Sequence, residues 1–371
     1  MGKLPTILLL CFGSTVATQN GTLFGISPFG PIIGVPVSPA PSRFWPGGRV
    51  AYQIDASFDS TDRATLAAAI ADYHAKTCIR WVQANEAAHV VFIRNRAGSG
   101  CASTASCYTG GRTTATFETC VSREKMVHEM GHVLCFGHEQ NRNDKAGWIY
   151  DCGTEKYEHL NFGHLYDYMS IMHYGCWSCI APTREGVSLD QCESRDGLSI
   201  LDAEKINDMY NCGGCQSYRF RFPHMLSGTT NVVLGGSEPS GEPYYVCRAF
   251  VKGEIVSGKS VVRGGVWSCW VPHGGSEYGV PNQEEFEVLT NPANVNLRWV
   301  AGGGGAVPGN AIASGRTANG EPVYVSRCRA NINGQLVNIP GKVYKSRAGE
   351  AFYPYGGAEV KCTVFDVLVC G

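Results

Sequence analysis

Apolar and polar positions alternate over residues 49–55 (RVAYQID), the two-residue period of a strand with one buried face. The period then changes. Residues 60–77, STDRATLAAAIADYHAKT, open with hydroxyl and acidic groups suited to capping and continue as an alanine-rich amphipathic helix. CIRWVQ (78–83) and AHVVFIRN (88–95) return to the strand pattern. A histidine-bearing helix follows, and LSILDAEKINDMYN (198–211) closes this half with apolar residues at helical spacing up to Cys212. Strand, helix, two strands and two helices predict an α+β unit in which helices pack on a mixed sheet.

Beyond CGGC (212–215) helical periods vanish, glycine becomes frequent, and Val/Tyr/Trp runs alternate with turn residues. The boundary falls near Gly213, and the tail is expected to be all-β. It also repeats itself. GEPYYVCR (241–248) returns as GEPVYVSR (320–327), SGK ending at Lys259 as PGK ending at Lys342, PHGGSE as PYGGAE, and FEVLT as FDVLV. The constant order implies two copies of a unit of roughly 80 residues, hence a pseudo-symmetric two-repeat domain.

The chain has 371 residues, 44% of them hydrophobic, enough for two soluble domains with separate cores. A formal net charge of −1 offers no broad cationic field to nucleic acid or acidic lipid. Residues 1–17 combine a positive start, an apolar run and a small-residue exit, the pattern of a secretory signal. No other apolar run is long enough to span a bilayer, so an extracellular product is expected. Residues 18–44, rich in Pro and Gly, read as a short pro-segment or linker. Setting aside Cys11 leaves 16 of the 17 cysteines, ten between Cys78 and Cys212 and six between Cys215 and Cys370. Two even sets predict two separately bridged domains, 45–213 and 214–371.

The chemistry concentrates in MVHEMGHVLCFGHEQNRND, residues 126–144. His128 and His132 stand four apart on one helical face, with Glu129 beside them to take a proton from a metal-activated water. His138 lies six residues further, about 240° around a continuous helix, so the helix must stop before it. Gly137 is the expected site of the reversal that returns His138 as third ligand. Three neutral imidazoles leave one zinc ion per chain with an open position, which marks a catalytic site.

This stretch resembles the metzincin signature, and Glu139 directly after the third histidine is the mark of the astacin family. The resemblance runs from Trp45 to Cys212 and includes WPGGRVAYQID, AKTCIRWV, GSGC and YDYMSIMHY (166–174). It implies a zinc endopeptidase in which Met172 forms the turn beneath the metal and Tyr174 stabilises the tetrahedral intermediate. By the same resemblance Glu139 anchors a mature N-terminus, Arg142 sits in a buried ion pair, and Cys78–Cys212 and Cys101–Cys120 are bridged.

Three features depart from the family pattern. Cys135 stands where the family has glycine; its sulfur has three open fates, a bridge, a bridge to Cys107 being one choice, a buried thiol, or a metal ligand that blocks water. A left-handed backbone there costs roughly 1–2 kcal/mol. Residues 18–44 contain neither an acid nor a thiol to cover zinc, and the segment after Tyr174 leaves the family pattern.

The tail repeats resemble the DM-nine repeat of invertebrate secreted proteins, including mannose-binding lectins, and each copy carries a Gly-Gly-x-Glu. By that resemblance Glu238 and Lys259 hold a mannose-type sugar, while the second copy has Thr317 where the acid should be, beside Lys342. Trp267, Trp270 and Trp299 are candidate stacking platforms or core residues. The leading expectation is a secreted zinc endopeptidase that cleaves proteins or peptides and is targeted to glycans. The alternatives are a recognition lectin with an inactive protease half and a structural matrix component.

Overall fold

The computed structural model describes residues 41–94, 100–103, 107–118, 120–152, 162–177, 179–193 and 195–371. Before them it describes four short strands, β1 (Ala17–Gln19), β2 (Thr22–Phe24), β3 (Ile26–Ser27) and β4 (Gly30–Pro31). Apart from Ala17, the leader expected at 1–17 lies outside the described residues. No described helix is long and apolar enough to cross a membrane.

The N-terminal half is built on a five-stranded mixed sheet of order β6-β5-β7-β9-β8. Its strands are β5 (Arg49–Ile54), β6 (Arg80–Gln83), β7 (His89–Arg94), β8 (Cys101–Ser103) and β9 (Arg112–Phe117). β8 runs antiparallel to β9, and the other pairs are parallel. The sequence pattern did not announce β8 or β9. RTTATF reads as polar, yet Thr113 and Thr116 are buried, and β-branched threonine suits a pleated surface.

Helix α1 (Ser60–Lys76) begins with a reciprocal capping box between Asp59 and Asp62. Its Tyr73 hydroxyl donates to Val127 O at 2.8 Å, tying it to α2 (Arg123–Val133). Residues Met126–Val133 of α2 are all buried, so this helix has no solvent face for an amphipathic pattern to reveal. Helix α3 (Ile200–Met209) starts at a second capping box, Ser199 with Asp202. Trp45, Leu66, Trp81, Phe92, Met130 and Met172 belong to one core that unites sheet, α1 and α2.

After a short antiparallel pair of β10 (Ile149–Asp151) and β11 (Ile180–Pro182), the tail is all-β, with β12 (Arg219–Arg221), β14 (Pro243–Val251), β15 (Glu254–Arg263), β16 (Val266–His273), β19 (Leu297–Ala301), β21 (Pro322–Ile332), β22 (Gln335–Tyr344) and β23 (Ala351–Tyr355) among its strands. Its main sheet path runs β12-β18-β14-β15-β16-β17-β24-β23-β22-β21-β25-β19. From β18 (Phe286–Thr290) to β17 (Ser276–Val280) the order is repeated in reverse from β24 (Ala358–Cys362) to β25 (Phe365–Cys370). The two runs meet where Ser276 pairs with Ala358. β13 (Leu234–Ser237) and β20 (Ala313–Arg316) carry register shifts at Leu234/Gly236 and Ala313/Gly315. A Cβ on Gly236 would collide with Asn338 O, and one on Gly315 with Ile255 O, so each run presses its glycine on the other's backbone.

Five disulfides lie within 78–212 and three within 215–370, and among the described residues none links the halves. The two halves nevertheless share a core. Trp148, Tyr166, Tyr168 and Leu201 of the first cluster with Phe222 and Ile255 of the second, and partly buried Phe250 packs on them.

Candidate metal centre

α2 projects His128 and His132 from one face, and the reversal after it brings His138 back. Nε2 of His128 lies 3.2 Å from Nε2 of both His132 and His138. These contacts are not hydrogen bonds between His128 and His132. Nδ1 of His128 donates to Ile171 O at 2.7 Å and Nδ1 of His132 to Phe136 O at 2.8 Å, so each neutral ring keeps a lone pair on Nε2. Burial drives His128 well below its usual range, helped by His132, and takes His132 down to about 4, so both rings are neutral ligands at physiological pH. Tetrahedral zinc with bonds of about 2.0–2.1 Å holds its nitrogens about 3.3 Å apart. The donor set and its spacing fit that ion.

The reversal is a Schellman motif. Cys135 N donates to His132 O at 2.9 Å and Phe136 N to Gly131 O at 3.0 Å, the paired bonds of that C-cap. Its left-handed residue is Cys135, at φ +80°, and not Gly137, where the sequence suggested the chain would turn. Cys135 is bonded to Cys107, which settles the sulfur's fate in favour of a bridge and removes it from the metal. Beneath α2, a Cβ on Gly131 would meet the Met172 sulfur at 2.5 Å; the glycine lets Met172 sit directly under the ligands.

Glu129 is buried beside the triad, and its Oε2 has no hydrogen-bond partner. Burial pushes its carboxyl up to about 8, against the pull of the Ser103 backbone N–H and the Lys125 charge. Tyr174 lies with its ring centroid 4.3 Å from that of His138, and its backbone N–H donates to Gln140 Oε1 at 3.0 Å. The sequence reading did not identify Gln140. His173 is structural: its Nε2 meets the Tyr166 hydroxyl at 2.7 Å and its Nδ1 meets Tyr174 O at 2.5 Å. The nearby set His173, Cys176 and Cys192 offers no metal site, since the two cysteines are bridged.

Behind His138, Glu139 accepts from Arg142 at 2.7 Å and from Lys205 at 2.6 Å and 2.7 Å. Burial works against its ionisation, but Lys205 and Arg142 outweigh it and hold the carboxyl below its ordinary range. The cations on Glu139 are thus Lys205, a side chain of α3, and Arg142, the buried ion pair that the resemblance implied for Arg142. Buried lysine has no sequence signature here, and Lys205 was missed.

In the tail, Lys259 pairs with Glu277 at 2.9 Å and donates to Pro354 O at 2.8 Å, over the rings of Tyr244 and Tyr355. Burial lowers its pKa, opposed by Glu277 and, through charge, by Glu238. Glu238 itself pairs with Arg263 at 3.2 Å. Lys342, its counterpart, meets Glu359 at 3.1 Å, and the charge of Glu254 acts on it as well. Thr317 hydroxyl accepts from Glu321 N at 3.0 Å, a turn contact. Trp267 is buried in the core.

Two buried imidazoles on a helix packed against a mixed sheet, with a third returned beside them by the turn after that helix, make the N-terminal half a candidate three-histidine metal-binding unit. Comparison with known proteins specifies the kind. Residues 37–152 match the family model of the astacin peptidases, and residues 238–362 match the DM9 repeat. The zinc metalloproteinase nas-15 of Caenorhabditis elegans is 33% identical over 190 residues, covering 46% of this chain and 33% of its own length. Zinc metalloproteinase nas-4 of the same organism is 31% identical over 193 residues, covering 46% of this chain and 60% of its own. High choriolytic enzyme 1, a hatching enzyme zinc-protease from Oryzias latipes, aligns at 28% identity over 47% of this chain and 98% of its own, with a TM-score of 0.42. The chain spans a third to three-fifths of the length of these two curated relatives. It carries an astacin-family domain followed by DM9 repeats.

Proposed function

We propose that the chain is a secreted zinc-dependent endopeptidase, with one zinc on His128, His132 and His138, and that its tail binds mannose-type glycans. The observation that carries the reading is the convergence of three histidine Nε2 atoms beside a buried glutamate. When bound, zinc supplies Lewis acidity and makes a water nucleophilic near neutral pH. Glu129 then takes the proton from the attacking water on its unpartnered Oε2 and passes it to the leaving amine. Tyr174, held through its backbone by Gln140, donates its hydroxyl proton toward the negative charge that develops on the carbonyl oxygen. His128 and His132 are kept in the right tautomer by Ile171 O and Phe136 O.

The segmentation that goes with this function is a leader at 1–17, a short segment at 18–44, the peptidase unit at 45–213 and the tail at 214–371. The tail's two runs are taken as pseudo-symmetric copies of one unit, a reading favoured by the reversed strand order and the paired glycine contacts. Lys259 spends two of its three N–H donors on Glu277 and Pro354 O, leaving one for a sugar hydroxyl. An inactive protease half loses its motive, since Cys135 is committed to Cys107.

Metal analysis with a fluorogenic-peptide assay, run with and without chelator, tests the enzyme. One zinc per chain and chelator-sensitive cleavage are expected. A chain that binds zinc but cleaves neither that peptide nor casein would refute the peptidase reading. Retention on mannose resin is expected to disappear in Lys259→Ala; retention that survives removes this sugar site.

A further inference from the structure

We propose that Arg316, a residue of the tail, is a positioning residue of the metal centre: its guanidinium neutralises Asp167 and thereby holds the loop that orients His128 and backs His138. The proposal rests on the three-histidine site being a working metal centre. It treats the tail as part of the catalytic apparatus rather than as an appendage.

The loop from Asp167 to Met172 touches the site at three points. Its Ile171 carbonyl accepts from Nδ1 of His128 at 2.7 Å, its Met172 carbonyl accepts from Glu139 N at 3.0 Å, and its Asp167 N–H donates to Glu139 Oε1 at 3.0 Å. Glu139 immediately follows the ligand His138. The loop is fixed from behind by two carboxylates. Asp202 accepts from Ile171 N at 2.8 Å and from the Ser170 hydroxyl at 2.5 Å. Asp167 accepts from Met169 N at 3.0 Å and faces Arg316, whose Nη2 and Nε lie 3.0 and 3.2 Å from its Oδ1.

Charge counting makes Arg316 more than an incidental contact. Glu139, Asp167 and Asp202 are all buried in the first half, where Arg142 and Lys205 pair with Glu139, and Arg195 acts on Asp167 and Asp202 through its charge. Arg142 also serves Asp144, at 2.6 Å. Among the described residues the cation in ion-pair contact with Asp167 is Arg316 of β20, whereas those of the first half pair with other acids. Asp167 has 0% of its surface exposed, so without the guanidinium its carboxylate must take up a proton or pull the loop toward solvent. Either change moves the carbonyls that orient His128 and support Glu139.

The same logic recurs along the junction. Glu204 of the first half pairs with Arg248 of the tail at 2.6 Å, and Asp208 pairs with both Arg219 and Arg221. In return His164 of the first half faces Glu287 of the tail at 3.2 Å. A tail that only tethered the enzyme to a glycan would need none of these buried partners.

The test uses the full chain and the variants Arg316→Ala, Arg316→Lys and Arg316→Ala with Asp167→Asn. Zinc affinity is read by chelator competition, the ligand geometry by the visible spectrum of the cobalt(II) form, and kcat and KM on a fluorogenic peptide. Arg316→Ala is expected to weaken zinc binding about tenfold or more, in the range of changes that misorient ligand-supporting groups. It should also shift the cobalt spectrum and lower kcat more than it raises KM. Arg316→Lys should recover most of the affinity, and the double variant should recover it by leaving no uncompensated charge. Wild-type affinity and spectrum in Arg316→Ala, or a double variant no better than the single one, would overturn the proposal. Should Arg316→Ala not fold, weakened zinc binding in the charge-free double variant overturns it, and wild-type binding there supports it. If the wild type binds zinc without cleaving peptides, the peptidase reading fails while affinity and spectrum still decide the role of Arg316.

Discussion

Replacing Glu129 by glutamine should strengthen the metal-free fold while it silences the enzyme. The carboxyl titrates near 4.5 in an unfolded chain and near 8 in the metal-free fold, because burial penalises its charge. A group whose folded pKa is raised stabilises the fold fully below its unfolded value and loses that contribution as pH rises toward the folded value. Glu129 therefore costs about 1.4 kcal/mol per pH unit between pH 4.5 and pH 8, which amounts to about 3 kcal/mol at pH 7. Glutamine has the same shape and no charge to desolvate. In chelator, Glu129→Gln should unfold at higher denaturant than the wild type at pH 7, with the gap closing toward pH 4.5 and levelling off above pH 8. In the zinc-loaded enzyme the same change should lower kcat by about 10²–10⁴, the contribution of a positioned general base. Urea unfolding from pH 4.5 to 8.5, beside peptide cleavage, checks both arms. A stability gap that does not vary with pH would mean that solvent reaches the carboxylate. Activity retained in the glutamine variant would remove Glu129 as the proton carrier.

Tyr174→Phe should lower kcat by about 10²–10³ with little change in KM, because its hydroxyl acts on charge present only in the transition state; an equal rise in KM would assign it to substrate binding instead. Removing the bridge over the helix end, by Cys107→Ala with Cys135→Ala, opens a loop of sequence separation 28 and should cost about 3.5 kcal/mol in chemical denaturation. A cost under about 1 kcal/mol would show that the Schellman cap needs no clamp. His164 titrates above its usual range: burial opposes its charge, but the Asp208 and Glu287 carboxylates prevail. Its contribution is complete below about pH 6.5 and declines as pH rises through the raised value. His164→Gln should flatten this alkaline loss of stability, and an unchanged pH profile would exclude His164 as its source.

Much of the metal centre was legible because its chemistry is local. His128, Glu129 and His132 lie within one and a half helical turns, and helix geometry alone aims both imidazoles the same way. The third ligand followed from the same geometry by contradiction, since His138 on a continued helix would face away. The hinge was misplaced because glycine's freedom made Gly137 the obvious candidate, whereas a covalent bond to Cys107 holds Cys135 in the conformation glycine would favour. Strand β9 escaped notice because threonine counts as polar in a hydropathy pattern while its branched side chain packs in a sheet, and β8, three residues long, is too short to show a period.

By itself the amino-acid sequence determined the change of pattern near Gly213, the recurring blocks of the tail, the even cysteine sets on either side and the spacing of the three histidines, all of which are matters of period, count and short-range geometry. Tertiary structure decided which of the extra cysteines meet, pairing Cys152 with Cys179 and Cys176 with Cys192. It also decided which cations enter the protein interior. Lys205 reaches Glu139 across 66 residues and Arg316 reaches Asp167 across 149, separations at which no periodicity connects the partners. A buried charge is tolerated only where the fold delivers its opposite, and that delivery is a property of packing, invisible until the chain has closed on itself.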